Sequence, residues 1–154
     1  EQQNEDGGWS QFSRKSNAHD SELSTTDLTA HAMRALTKWR SIWNAERVAA
    51  TREHPTRETQ IGSALGRGWL YLESQQAADG NFIPLRFANE YQPGQLNPVY
   101  GTARVLVMCA ELGRLDSELA GRASRWLLTA QHSNGGWVPP RAPRDAPWGP
   151  GRRS

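Results

Sequence analysis

The chain has 154 residues, enough for one modest domain, and its 18 basic and 16 acidic residues leave a net charge of +2, which makes no electrostatic case for nucleic acid. A single cysteine, Cys109, excludes an internal disulfide and any cysteine-based zinc site. No stretch approaches the roughly 18 apolar residues needed to span a bilayer, and no signal-peptide pattern occurs.

In chain order, residues 10 to 23 are polar and without period, which reads as a loop. Ser24-Thr25-Thr26-Asp27 has the form of a capping box, with Ser24 as N-cap and Asp27 three residues on. Leu28, Ala32, Ala35, Leu36, Trp39 and Trp43 then recur at helical spacing and predict a helix to about residue 44. Residues 44 to 60 are polar and are broken by His54-Pro55; a second helix is expected from about Gln60 to Gln76. Pro84, Pro93, Gly94 and Pro98 mark a long irregular loop over residues 81 to 98, of a length more often functional than idle. Helices are expected over Val99 to Leu112, with Gly113 as the residue that ends it, and over Ser117 to Gln131. Cys109 falls in an apolar run of the third helix and reads as a buried small hydrophobe. The last residues, 139 to 154, are rich in Pro and Gly and carry no helical period.

A pattern of Gln, three spacers, Gly, one residue and an aromatic occurs three times: Gln3 to Trp9, Gln76 to Phe82 and Gln131 to Trp137. The second and third copies follow helical runs ending in Tyr71-Leu72 and Trp126-Leu127, with the Leu four residues before the Gln. Matching flanks point to an internal repeat, and intervals of 73 residues (Gln3 to Gln76) and 55 residues (Gln76 to Gln131) each fit a helical hairpin. The Gln amide is placed to satisfy helix-end groups, the Gly to allow a tight reversal, and the aromatic to pack back and staple neighbouring units. The fold expected is all-α: helical hairpins closing toward a ring of inner and outer helices, an α/α-toroid. The domain covers residues 1–138, and 139–154 form an irregular tail. The chain opens inside a motif and closes on a Pro/Gly-rich stretch where a helix should follow Trp137, as a piece of a longer protein would.

The repeated Gln-x-x-x-Gly-x-Trp motif resembles that of the squalene–hopene cyclase and oxidosqualene cyclase family. Asp27-Leu28-Thr29-Ala30-His31 is similar to that family's Asp-Val-Thr-Ala-His segment, and Arg86-Phe87 followed by Tyr100-Gly101-Thr102 is similar to its Arg-Trp and Tyr-Gly-Thr. The resemblance covers about residues 1 to 138 and corresponds to the C-terminal catalytic half. It implies an isomerase that cyclises a linear C30 isoprenoid, squalene or its epoxide. A carboxylic acid protonates the polyene and aromatic faces stabilise the travelling carbocation. The family uses no cofactor or metal, takes a hydrophobic polyprenoid and sits on the membrane surface without spanning it.

The family's protonating Asp-x-Asp-Asp motif does not occur in this chain, so the 154 residues alone are expected to be inactive. What the resemblance implies for this piece is support of that acid. His31 would hydrogen-bond the acid as a protonated imidazole, Arg86 would pair with Asp27, and Tyr100 would join the network, with all four facing one cavity. Phe87 would bind substrate where the family carries Trp. Asp27 and His31 are four apart and share a helix face on spacing alone. Residues 88 to 98 are an insertion relative to the family, and the tail lacks its acidic loop and its Ser-Thr-x-x-x-Thr-Ala helix. Two other readings compete: a non-catalytic α/α-toroid that binds a protein or lipid on its concave face, and a prenyltransferase β-like toroid. The second needs an Asp/Cys/His zinc set, and Cys109 has no His at ligand spacing.

Overall fold

The computed structural model describes residues 2–10, 23–50, 55–85 and 96–137. It is all-α, with α1 over Thr26–Ala50, α2 over Pro55–Gln75, α3 over Pro98–Glu111 and α4 over Glu118–Ala130. Helix α1 packs against both α2 and α3, and α3 packs against α4. Their shared core holds Ala30 and Met33 of α1, Leu65 and Leu72 of α2, Val105 and Met108 of α3, and Leu119 and Ala123 of α4, closed by Phe82.

Two helix boundaries differ from the sequence expectation. Residues 44 to 60 are not one polar loop, because α1 continues to Ala50 and α2 begins at Pro55. Ala45, Glu46, Arg47, Ala49 and Ala50 lack an apolar period but are strong helix formers, and Pro is favoured in a first helical turn. At the start of α1 the N-cap is Thr25, not Ser24. The Thr25 hydroxyl accepts from the Leu28 N–H at 3.3 Å. Ser24 is engaged elsewhere: its hydroxyl donates to Asp6 at 2.7 Å and accepts from Asn4 Nδ2 at 2.9 Å. The Thr25 N–H donates to the Trp9 carbonyl at 3.0 Å, which fixes where the helix starts.

Helix α3 is closed at both ends by local chemistry. Asn97 caps its start, accepting from the Tyr100 N–H at 3.3 Å, with Pro98 in the first turn. At its end the Gly113 N–H donates to Ala110 and the Arg114 N–H to Cys109, the double bond of a Schellman motif with Gly113 at φ 67°. A methyl group at Gly113 would meet nothing among the described residues within 4 Å. Gly113→Ala is therefore expected to cost only the left-handed backbone term, about 1–2 kcal/mol in a urea unfolding titration. Cys109 is fully buried, and burial pushes its thiol up to about 11. At pH 8 it should resist a thiol reagent in the folded chain and react promptly once the chain is unfolded.

The three Gln–Gly–aromatic turns share one set of bonds. In each, the Gln side-chain amide donates to the Gly carbonyl four residues on: Gln3 to Gly7 at 2.7 Å, Gln76 to Gly80 at 3.0 Å and Gln131 to Gly135 at 2.8 Å. In each the Gly has positive φ, at 88°, 102° and 86°. The first two turns also bond to a following helix in the same way. The Trp9 N–H donates to the Thr29 hydroxyl in α1, and the Phe82 N–H to the Thr102 hydroxyl in α3, both at 3.0 Å. The environments of the three aromatics diverge beyond this. Phe82 is fully buried and Trp9 half-buried, whereas the Trp137 indole donates back to the Leu127 carbonyl at 2.8 Å.

Candidate functional site

The seam between the N-terminal turns of α1 and α3 collects the polar residues that the sequence singles out. Asp27, in the first turn of α1, is 1% exposed, and neither carboxylate oxygen has a hydrogen-bond partner among the described residues. Thr29 beside it is fully buried and holds the Trp9 backbone. His31, one turn after Asp27, is half-buried and faces α3. There the Arg104 guanidinium donates through Nη2 to His31 Nε2, and the same guanidinium lies 5.5 Å from the centre of the Tyr100 ring. His31, Arg104 and Tyr100 are therefore one cluster, with Asp27 near enough to act on the His31 charge. Arg86 and Phe87, with residues 88–95 of the insertion, lie outside the described residues, as does the tail from residue 138.

Arg104 was not singled out on sequence. The first-to-second-turn spacing of 73 residues relates Thr29 to Thr102, Asp27 to Tyr100 and His31 to Arg104. Applying that offset to His31 is the signal that finds it.

The imidazole differs from the expected protonated form. An arginine donates and cannot accept, so Nε2 must carry its lone pair toward Arg104, leaving the proton on Nδ1. The electrostatics agree. Burial, then the Arg104 and Arg34 charges, hold His31 below its ordinary 6.5, and Asp27 only partly offsets them. Unfolded, His31 takes up a proton as pH falls through 6.5; folded, it does so only at lower pH. Its contribution is thus neutral above 6.5, and stability is lost as pH falls below it. His31→Gln should flatten that part of the stability–pH curve between pH 7 and 5, and an NMR titration of His31 should give a midpoint under 6.5.

Farther along α1, Arg34 bonds Glu111 of α3 at 2.6 Å, which holds the Glu111 carboxyl below the usual carboxylate range. Beyond this pair an open groove of about 680 Å³ is lined by His31, Arg34, Thr37, Lys38, Ser41 and Glu111. No group of His, Cys, Asp and Glu among the described residues could hold a metal ion. No described helix is long and apolar enough to cross a membrane. Chemically, the cluster can offer an Nδ1–H donor from an oriented neutral imidazole, next to a buried carboxylate and a fixed guanidinium. No family model matches the chain, and neither the curated proteins nor the solved structures contain a match.

Proposed function

We propose that this chain is part of a triterpene cyclase-type α/α-toroid that cyclises a linear C30 isoprenoid, and that its polar seam supports the protonating acid. The observation that carries the reading is the His31 imidazole, oriented by Arg104 with its Nδ1–H left to donate, one turn from buried Asp27. A carboxylic acid brought to His31 from an Asp-x-Asp-Asp segment would receive that hydrogen bond on one oxygen and keep the reactive proton on the other. Tyr100 keeps the Arg104 guanidinium in place through its ring face.

Purified alone and incubated with squalene, the 154-residue chain should give no cyclic product by mass spectrometry; turnover above a blank refutes this. In a polypeptide that joins these residues to an Asp-x-Asp-Asp segment, His31→Ala is expected to cut turnover by about 100-fold or more. The unfolding temperature should move little. Equal losses of fold and turnover would make His31 a structural residue and remove the reading.

A second reading is a non-catalytic helical repeat protein with a binding groove. The lining of that groove by His31, Arg34 and Lys38 against Glu111 favours it, since a hydrocarbon gains nothing from such charges. Binding of an acidic peptide without any cyclisation by the joined polypeptide would select it.

A further inference from the structure

The first two Gln–Gly–aromatic turns each hold a helix that comes later in the chain, by two shared contacts and an arginine that reaches back to the turn at different acceptors. The Gln3 amide donates to the Ala64 carbonyl of α2 at 2.9 Å, and the Gln76 amide to the Leu119 carbonyl of α4 at 3.0 Å. Three residues on in each helix is an arginine, whose carbonyl lies over the turn glycine. A Cβ on Gly7 would come within 2.5 Å of the Arg67 oxygen, and one on Gly80 within 2.7 Å of the Arg122 oxygen. The arginine side chain then reaches back to the turn. Arg67 donates to the Gln3 side-chain oxygen, and Arg122 donates to the Ala77 and Ala78 carbonyls at 2.8 and 3.1 Å.

The third turn is built the same way and holds no helix among the described residues. Gln131 makes its bond to Gly135, and Gly135 keeps φ 86°, but a Cβ there would meet no atom of the described residues within 4 Å. Gln131 and Gly135 are exposed where Gln3, Gly7 and Gly80 are buried.

We propose that this third turn is a docking surface for one more α-helix of the same make as α2 and α4. That helix presents a free backbone carbonyl to the Gln131 amide and carries an arginine three residues later, over Gly135. The occupant is narrowed by the chain itself. In a second copy, the corresponding surfaces of α2 and α4 are already covered by that copy's own turns. The segment after Trp137 carries Pro139, Pro140, Pro143, Pro147 and Pro150, too closely spaced for a helix interior. A helix from outside these 154 residues is what fits. The inference holds whether or not the chain takes part in cyclisation.

The test supplies such a helix. Residues 83–137 are inserted a second time between Trp137 and Val138 of the full chain, which places a copy of α4 after the third turn. The Gln131 side-chain amide hydrogens should then exchange about tenfold more slowly than in the present chain. Gly135→Ala should lower the melting temperature at least twice as much in the extended chain, since backbone strain is common to both and only the helix contact is new. Unchanged exchange, or an equal loss in both chains, overturns the proposal. Should the extended chain fail to fold, a peptide of residues 114–131 is titrated into the isotopically labelled full chain. The expected result is movement of the Gln131 side-chain and Gly135 amide signals, lost when the peptide carries Arg122→Ala. No movement there, or the same movement with the substituted peptide, also overturns it.

Discussion

Gly80→Ala is expected to lower the unfolding free energy by about 3 kcal/mol, combining a left-handed backbone term of about 1–2 with an overpacking term of about 1–3. The glycine stands at φ 102°, and its added methyl would press on the Arg122 carbonyl, a backbone atom that a rotamer change cannot move. Since whole domains are stable by only about 5–15 kcal/mol, the midpoint of a urea titration should fall visibly. Gly113→Ala, strained in backbone but open in space, is the internal control. Equal losses at Gly80 and Gly113 would show that helix seating contributes nothing measurable.

Phe82→Ala should cost about 3–5 kcal/mol, because the ring is fully buried at the centre of the core. Phe82→Trp is the more instructive change. At the first turn a Cβ on Gly68 of α2 would meet Trp9 at 2.9 Å, so the larger ring is accommodated by a helix residue with no side chain. The 55-residue offset that relates α2 to α4 takes Gly68 to Ala123, which is fully buried, and there the turn carries the smaller Phe82. Ring and helix residue trade volume. Phe82→Trp alone should therefore cost about 1–3 kcal/mol by overpacking. Adding Ala123→Gly should recover part of that loss, although Gly in a helix interior by itself costs about 1 kcal/mol. A double mutant as unstable as the sum of its parts would show that the two positions do not share space.

Much of the all-α arrangement was legible because its signals are local. The apolar period from Leu28 to Trp43, Gly113 after an apolar run, and Ser117 before Glu118 each act within a turn of helix, and the structure places helix ends close to them. What was missed depends on partners far along the chain. Ser24 and Thr25 are both favoured caps by type, and the choice is made by Asp6, Asn4 and Trp9, some 15 to 20 residues away. The extension of α1 to Ala50 was hidden because propensity without period looks like a polar loop. In the seam, Asp27, His31 and Tyr100 were singled out on sequence through the family resemblance. Arg104 was not, since a lone arginine in an apolar helix has no local signature. The imidazole's charge state is also set across the seam, by Arg104 and Arg34, which no spacing within α1 reveals.

Each of the two occupied turns reaches forward, Gln3 across 61 residues and Gln76 across 43. Neither can be completed when it is first made. On a ribosome adding roughly 5–20 residues per second, the Gln3 turn waits about 3–12 s for Ala64 to be synthesised. During that interval Gly7 lacks its covering carbonyl and Gln3 its second acceptor, so the turn is held only by its own short-range bonds. The same delay then recurs one hairpin later. A pause in translation between Gln76 and Leu119 would therefore prolong the life of an unsealed edge.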